Sequence, residues 1–438
     1  MNKLVCIFFI LLTFESCPSD YSINSALDRE MTGLLRARDY FSLETALKSS
    51  GSQLSEVKVL YYKAHLESAF NQTEQSLQTI DLLFSKHKKS LNDMLIYNLL
   101  LVKRSNHIRK FEYNHVAETL YALSDLVKSS SRLKLDNINQ EKLGVEIQFY
   151  EAVKNVPPQK IFLSTDAIIP FKKNEHGHLT TQIICNDVTE EFIFDTGASF
   201  STISESVATR MGIRPLNVSK QVWTPVSSSV TVKIGVADSL RISDLLFENV
   251  VFYIIPDQPP NFQFNNYRID EAIGFPLIYQ MKEIKIDYQA GNIVVPQTIV
   301  NMDLHNIFLD NNYPIIRLES GQDTLLFSLD FGAEKTRFFK KYFDVHNKRI
   351  IEEYQPDIIV KLGLGGIIAT KAYKLTNVSL KIDDIAVIFP IIYVETEENP
   401  NPQKFDGVAG QDLFTQFNEI ILNFESMYLT FSDKKNNQ

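Results

Sequence analysis

An aspartate stands at the end of an apolar run in the middle of the chain. The run FIF at 192–194 leads into Asp195, and TGAS at 196–199 follows it. The run predicts a buried strand, and a carboxylate at its end costs free energy unless something uses or compensates the charge. Gly197 gives the loop a backbone freedom that a β-carbon would remove. Asp195 is therefore either a turn residue or a working acid.

A second acid lies in the same setting, because the β-rich half of the sequence repeats itself once. The segment FIFDTGA at 192–198 is echoed by FSLDFGA at 327–333, where the acid is Asp330. Further landmarks keep their register, namely Gly274 with Gly410 and Asp287 with Asn423, which lie 79, 80, 92 and 93 residues after their acids. Two copies of one unit are predicted.

An apolar-x-apolar-Asp-Thr-Gly-Ala-Ser motif, an apolar-Gly-x-x-Leu segment and a strand ending in Asp or Asn resemble the retropepsin-like and pepsin-like aspartic proteases. The resemblance covers roughly residues 165–432. It implies a two-lobed, all-β domain in which Asp195 and Asp330 share one proton. In that mechanism the ionised acid takes a proton from a water that attacks the peptide carbonyl, and the protonated acid donates to the developing oxyanion. One chain then supplies the site that retropepsins build from two subunits.

Four further residues are expected to support the two acid loops. The resemblance implies that the Thr196 hydroxyl bonds across to the partner loop and that Gly197 and Gly332 shape the two turns. Ser199 is expected to hydrogen-bond the carboxylate from outside and to favour one ionised oxygen. Nothing in the sequence implies a metal or an organic cofactor.

The second copy departs from the family pattern at two positions. Phe331 stands where Thr or Ser is expected, and Glu334 stands where Ser or Thr is expected. Losing one cross-loop hydroxyl costs roughly 1 kcal/mol, and the bulk of Phe331 is expected to displace the loop that bears Asp330. Glu334, if it lies near the two acids, would raise their pKa values.

These departures keep two alternatives open. The chain could be a catalytically inactive, protease-like module that binds peptides or acts as a scaffold. Asp195 could also pair with its counterpart in a second copy of the chain, which would leave the second lobe structural.

Three other motifs favour a structural interpretation. Asp-Phe-Gly at 330–332 also occurs in kinases, but no His-Arg-Asp loop and no Gly-rich phosphate loop accompany it. The pair His176 and His178 lies in a polar hairpin tip without a third ligand nearby, which predicts a solvated turn. Gly363–Gly366 lacks a following Lys-Ser/Thr and predicts a glycine-rich hairpin.

The chain before this region has a different pattern. From about 25 to 150 it is rich in Leu, Lys, Glu and Ser at helical spacing, and two prolines at 157 and 158 end the pattern. We expect α-helical hairpins at 18–155, similar to tetratricopeptide repeats although an irregular bundle fits nearly as well, then protease lobes at 161–300 and 301–432. The helical domain is a candidate docking surface for a protein partner.

Targeting and charge add the remaining expectations. Lys3 and the apolar run LVCIFFILLTF predict a signal peptide over 1–17, and Cys17 resembles a lipoprotein attachment site, so export with a membrane anchor is expected if Cys17 is acylated. The net charge of −9 argues against nucleic-acid binding. The substrate would be a peptide or protein, and hairpins at 221–236 and 358–372 are candidates to cover it.

Overall fold

The computed structural model describes residues 24–224, 226, 230–257, 271–302, 305–364, 366–398 and 404–432. The predicted signal peptide and Cys17 lie outside these residues. Within the described ranges, none of the helices combines the length and the apolar character that crossing a membrane would require.

Seven helices form the first part of the described chain, which we call the helical part. They are α1 (Ser25–Ala37), α2 (Tyr40–Ser50), α3 (Glu56–Ala69), α4 (Thr73–Lys86), α5 (Asp93–Arg109), α6 (Tyr113–Ser129) and α7 (Asn137–Val153), with 3₁₀ turns at Gly51–Gln53 and Lys88–Ser90. Four begin where a short polar side chain accepts a backbone N–H of the first turn, at Asn24, Asp39, Asn92 and Asp136. Local sequence therefore fixes these helix starts.

The rest of the described chain is rich in β-strands. The strands up to residue 295 are β1 (Lys160–Phe162), β2 (Ala167–Pro170), β3 (Lys172–Lys173), β4 (Leu179–Cys185), β5 (Val188–Phe194), β6 (Ser201–Ser204), β7 (Arg214–Val222), β8 (Val230–Ile242), β9 (Leu245–Ile255), β10 (Ala272–Ile273), β11 (Glu283–Asp287) and β12 (Asn292–Val295). Those that follow are β13 (Ile307–Asp310), β14 (Tyr313–Ser320), β15 (Asp323–Leu329), β16 (Arg337–Phe338), β17 (Gln355–Gly363), β18 (Gly366–Ile382), β19 (Ile385–Glu395), β20 (Gly407–Ala409), β21 (Glu419–Asn423) and β22 (Tyr428–Phe431). Short helices lie between them, at α8 (Glu205–Arg210), α9 (Phe275–Gln280), α10 (Lys340–Glu353) and α11 (Gln411–Phe414).

The strands form three sheets. The first sheet has the order β1-β9-β6-β10-β5-β4-β8-β7, with β3 beside β4, and the second has the order β13-β14-β15-β20-β16-β19-β18-β17. A third, joining sheet of order β2-β12-β11-β21-β22 takes strands from both halves, and its β11 and β21 pair antiparallel with Glu283 opposite Asn423. The two halves of the β-rich part are thus tied together by backbone hydrogen bonds.

In each of the two large sheets, a short strand runs parallel to the strand that ends at the acid. In the first sheet β10 runs parallel to β5, with Ile273 opposite Phe194, and in the second β20 runs parallel to β15, with Ala409 opposite Leu329. Phe194 and Leu329 are fully buried, as the apolar runs predicted. Each acid therefore directly follows a strand whose end is packed in the core.

The coarse prediction of a helical part followed by a β-rich part is confirmed. The switch from helix to strand falls between Val153 and Lys160, around the two prolines. Helix α7 packs against β7, and α3 packs against β13, so the helical part contacts both large sheets. The likeness to tetratricopeptide repeats and the closure of the sheets into barrels stay predictions.

Candidate active site

The loops that carry Asp195 and Asp330 are anchored in the same way. The backbone N–H of Asp195 donates to the carbonyl of Ile273 at 3.0 Å, and that of Asp330 donates to the carbonyl of Ala409 at 3.0 Å. These bonds continue the parallel strand pairs beneath them. The duplicated sequence thus produces duplicated loop geometry.

Each carboxyl group lies against the glycine of the opposite loop. A β-carbon on Gly197 would lie 2.6 Å from Cγ of Asp330, and one on Gly332 would lie 2.4 Å from Cγ of Asp195. No side chain fits at either glycine, because real β-carbons do not approach other atoms so closely. The two glycines therefore allow the acids to stand side by side.

The same glycines also bond the acid of their own loop. The N–H of Gly197 donates to Oδ1 of Asp195 at 2.7 Å, and the N–H of Gly332 donates to Oδ1 of Asp330 at 2.9 Å. One oxygen of each carboxyl is held in place by these bonds. The other oxygen is left for a partner acid or a substrate.

The two acids have raised pKa values and different electrostatic surroundings. Burial raises the pKa of Asp195 well above its usual range, and the neighbouring charge of Asp330 raises it further. Burial also raises the pKa of Asp330, but the charge of Arg337 opposes that rise. Two coupled acids of this kind hold one proton between them over a range of pH.

The Thr196 side chain crosses between the loops, as the resemblance implied. Its hydroxyl donates to the carbonyl of Leu329 at 2.9 Å and accepts the N–H of Phe331 at 3.0 Å. Thr196 is fully buried, so both bonds are shielded from water. The reciprocal hydroxyl from the second loop is missing because residue 331 is Phe.

The structure contradicts the expectation that Phe331 displaces its loop. The ring is fully buried and lies 6.2 Å from the ring centre of Phe194 and 4.9 Å from that of Phe414. An aromatic pocket absorbs the extra volume, so Asp330 keeps the anchoring of its counterpart. The Gln411 amide also donates to the Phe331 carbonyl at 2.9 Å and fixes the backbone there.

Two other expected contacts differ in the structure. Ser199 lies near the phenol of Tyr313, the first residue of β14, and lowers the pKa of that phenol, whereas burial raises it. The outside contact from Ser199 to the carboxylate that we expected is not among the hydrogen bonds of the described residues. Glu334 points to solvent, with 57% of its side chain exposed, and its carboxylate lies 3.5 Å from Nζ of Lys335. Burial is the leading cause that raises the pKa of both acids, and the charge of Asp330 adds to the rise at Asp195, so Glu334 does not lead this shift.

Sequence reasoning missed a pair of hydroxyls beneath the loops. Ser201 Oγ accepts the N–H of Gly274 at 3.0 Å, and Thr336 Oγ1 accepts the N–H of Gly410 at 3.1 Å. Both hydroxyls lie six residues after their acids, so the repeat in the sequence held the signal. These hydrogen bonds hold the ends of the short strands β10 and β20 against the acid loops.

The hairpin tip at His176 and His178 also needs a correction. Gly177 has φ of 81°, as a tight turn requires, but His178 is only 5% exposed and is not solvated. Its ring bonds the Gly332 backbone and lies near Asp330, while burial lowers its pKa. His178 therefore packs behind the second acid loop.

A group that could ligate a metal occurs elsewhere in the described chain. His107, Glu112 and His115 hold atoms within 4.8 Å of one another at the turn from α5 to α6. Nζ of Lys110 lies 2.9 Å from Glu112, so that carboxylate already has a cation beside it. Hydrolysis by a water between two acids does not require this group.

The candidate covering hairpins are formed by β7 with β8 and by β17 with β18. A β-carbon on Gly363 would lie 3.2 Å from Cγ2 of Val226, so the two hairpins approach each other at their ends. Nζ of Lys142 on α7 lies 5.3 Å from the ring centre of Trp223, which ties the first hairpin to the helical part. Residues 225, 227–229 and 365 of the two predicted segments lie outside the described chain.

Comparison with known families bears on the first of the two acid loops. A family model described as aspartyl protease matches residues 181–274, which run from β4 through Asp195 to Gly274. The chain contains an aspartyl protease-like domain. The match to this domain ends before Asp330, so the second acid rests on the repeat and the geometry. Comparison with curated proteins gave no match.

Proposed function

We propose that the chain is an aspartic endopeptidase in which a water between Asp195 and Asp330 hydrolyses peptide bonds. The observation that carries the proposal is the close approach of each carboxyl group to the glycine of the opposite loop. A β-carbon added to Gly197 or Gly332 would lie only 2.6 or 2.4 Å from the carboxyl carbon of the opposite acid. This arrangement places two coupled acids together in one chain. The family match on residues 181–274 supports the same chemistry.

The unequal surroundings of the two acids suggest their roles. Asp330, with Arg337 nearby, is the ionised base that removes a proton from the water. Asp195 is the protonated acid that donates to the carbonyl oxygen as the tetrahedral intermediate forms. On collapse, Asp330 gives its proton to the leaving nitrogen, and Asp195 recovers one from the hydroxyl of the intermediate. Both acids then return to their starting states.

The hairpins of β7 with β8 and of β17 with β18 would cover an extended substrate and exclude water from the acids. Their approach at Val226 and Gly363 supports this role. An exported, membrane-anchored location would follow from the N-terminal pattern and from acylation of Cys17. The helical part would present the protease to a protein partner or a substrate.

The second candidate is a protease-like module that binds peptides without cleaving them. The observation in its favour is Phe331, which has no hydroxyl to return the bonds that Thr196 makes to the second loop. A module of this kind would lack turnover only if the acid pair were disturbed. The backbone hydrogen bond that anchors Asp330 has the same length, 3.0 Å, as the one that anchors Asp195. We therefore favour the enzyme.

The test is cleavage of a diverse peptide mixture by the full chain from about pH 3 to 7, mapped by mass spectrometry. Wild type should cut, and Asp195→Asn should leave the mixture intact. The exposed variant Asp244→Asn is the matched control and should cut like wild type. A folded wild-type protein that cuts nothing at any pH would favour the peptide-binding module instead.

A further inference from the structure

A large cavity lies between the helical part and the second sheet, beside the contact of α3 with β13. It has a volume of about 780 Å³ and is lined by residues of α1, α3, α5 and α7 on one side and by Leu309, Asp310 and Asn311 on the other. We call it the helix–sheet chamber. Sites that bind drug-sized ligands have volumes of roughly 300–1,000 Å³, so the chamber has room for a short peptide segment.

The walls of the chamber are strongly cationic. Basic side chains reach it from several elements, namely Arg36, Arg38, Lys58, Arg104, Arg109, Lys142 and Lys404. The acidic residues among its described lining are Asp310 and Glu146, which already pair with Arg38 and Arg104. The chain as a whole carries a net charge of −9, so this concentration of positive charge runs against its average.

Three buried nitrogen atoms in the chamber wall have no hydrogen-bond partner within the described chain. They are Nε2 of His65, Nε of Arg104 and Nε of Arg109. His65 is 8% exposed and Arg109 is 5% exposed, so neither side chain is freely solvated. An unsatisfied buried polar group costs about 1–3 kcal/mol, which a bound acceptor would recover.

Lys404 shows that the cations repel one another. Loss of hydration and the charges of Arg38, Arg104 and Lys142 lower the pKa of Lys404 to about 8. An anion in the chamber would raise the pKa of Lys404 and reduce the repulsion among the cations. Carboxylates suit the arginines, because guanidinium groups bind them through paired N–H donors.

We propose that the helix–sheet chamber binds an acidic peptide segment, with its carboxylates beside Arg36, Arg104 and Lys404. Apolar side chains such as Leu95 and Leu309 share the wall with the cations, which suits a peptide better than a small inorganic anion. The proposal does not rest on catalysis by the acid pair. It assigns the helical part a ligand class of its own.

The chamber and the acid pair lie on either side of one short stretch of the chain. Asp310 and Asn311 line the chamber, and Tyr313, two residues further on, lies near the acid pair, since burial and the charges of Asp195 and Asp330 raise the pKa of its phenol. Asn311 also accepts a bond from the Ser105 hydroxyl of α5 at 3.2 Å. A peptide in the chamber therefore lies against the same stretch that reaches the candidate active site.

The test measures binding of a fluorescein-labelled ten-residue peptide of Glu, Leu and Ser by fluorescence anisotropy. The full chain carries Asp195→Asn, so that the probe is not cleaved and the result does not depend on protease activity. We expect the Glu peptide to bind, and versions with Gln or Lys in place of Glu to bind at least about five-fold more weakly. Equal binding of the Gln peptide, or no binding of the Glu peptide, would overturn the proposal.

A matched pair of double variants locates the site. Arg36→Gln with Lys404→Gln removes two charges from the chamber, and Lys371→Gln with Lys381→Gln removes two from exposed positions on β18. The first pair should weaken binding at least about five-fold and the second should leave it unchanged. If both pairs weaken binding equally, the attraction is general charge and the chamber is not the site. If citrate binds the chamber but the Glu peptide does not, the peptide assignment is wrong.

Discussion

The hydroxyl of Thr196 joins the two acid loops by accepting the N–H of Phe331 at 3.0 Å while donating to the carbonyl of Leu329 at 2.9 Å. Because residue 331 has no hydroxyl, this cross-link has no counterpart from the second loop. The ring of Phe331 instead packs in the core against Phe194 and Phe414. One polar link and one aromatic contact thus hold the acid pair together.

Replacing Thr196 with Val should destabilise the protein and reduce cleavage. The substitution leaves the Leu329 carbonyl and the Phe331 N–H buried without their partner, at a cost of about 2–4 kcal/mol in the free energy of unfolding. Urea denaturation would measure it. The matched control is Thr324→Val, at an exposed position of β15, where a change within about 0.5 kcal/mol is expected. Equal effects at the two positions would contradict the cross-link.

Restoring the hydroxyl expected in the family should not improve this protein. Phe331→Thr removes a fully buried ring and leaves a cavity between Phe194 and Phe414, which should cost about 3 kcal/mol or more. Phe331→Leu keeps most of the apolar volume and should cost less than about 2 kcal/mol. Thermal or urea unfolding of both variants checks this order. A Thr variant as stable as wild type would show that the aromatic packing carries little free energy.

Replacing Asp195 with Asn should change how the stability of the protein depends on pH. The folded-state pKa of Asp195 is raised, so the stability linked to its proton is present at low pH and is lost as pH rises through that pKa. Asp195→Asn has no such loss and should become more stable than wild type as pH rises. Below the unfolded-state pKa of about 3.9, Asp195 is protonated in both states, so the difference in stability between the two proteins should stop changing with pH. Unfolding curves from pH 3 to 8 test this, and a constant difference would contradict the raised pKa.

Arg337 should set the acidic limit of activity. Its charge holds down the pKa of Asp330, so Arg337→Gln should raise that pKa and move the acidic limb of kcat/KM to higher pH. Arg337→Lys keeps the charge and should largely restore the wild-type profile. The carboxylate of Glu395, bound by Arg337 at 2.8 Å, keeps a bond of 2.8 Å from Lys361 in both variants. An unmoved limb in the Gln variant would show that Arg337 does not control the pKa of Asp330.

The sequence predicted those features of the site that depend on residues next to one another in the chain. The apolar runs before Asp195 and Asp330 and their glycines follow from strand burial and from the need for a tight loop. Ser201 and Thr336 could have been found as well, since they sit at the same offset in both copies. The repeat was therefore a stronger guide than composition.

Contacts between distant segments could not be foreseen. The fit of Phe331 depends on a pocket that includes Phe414, and Ser199 lies near Tyr313, which belongs to another sheet. The helix–sheet chamber collects cations from helices and a loop that are far apart in the chain. Such groupings arise from the packing of the elements, on which periodicity gives no information.

The central claim is that Asp195 and Asp330 of one chain form the catalytic pair. The most direct measurement compares kcat/KM on one cleaved peptide for wild type, Asp195→Asn, Asp330→Asn and an equal mixture of the two variants. Each variant should lose about 10²–10⁴-fold, and the mixture should stay as inactive as its parts. Activity that survives in Asp330→Asn, or that returns on mixing, would contradict a pair built within a single chain.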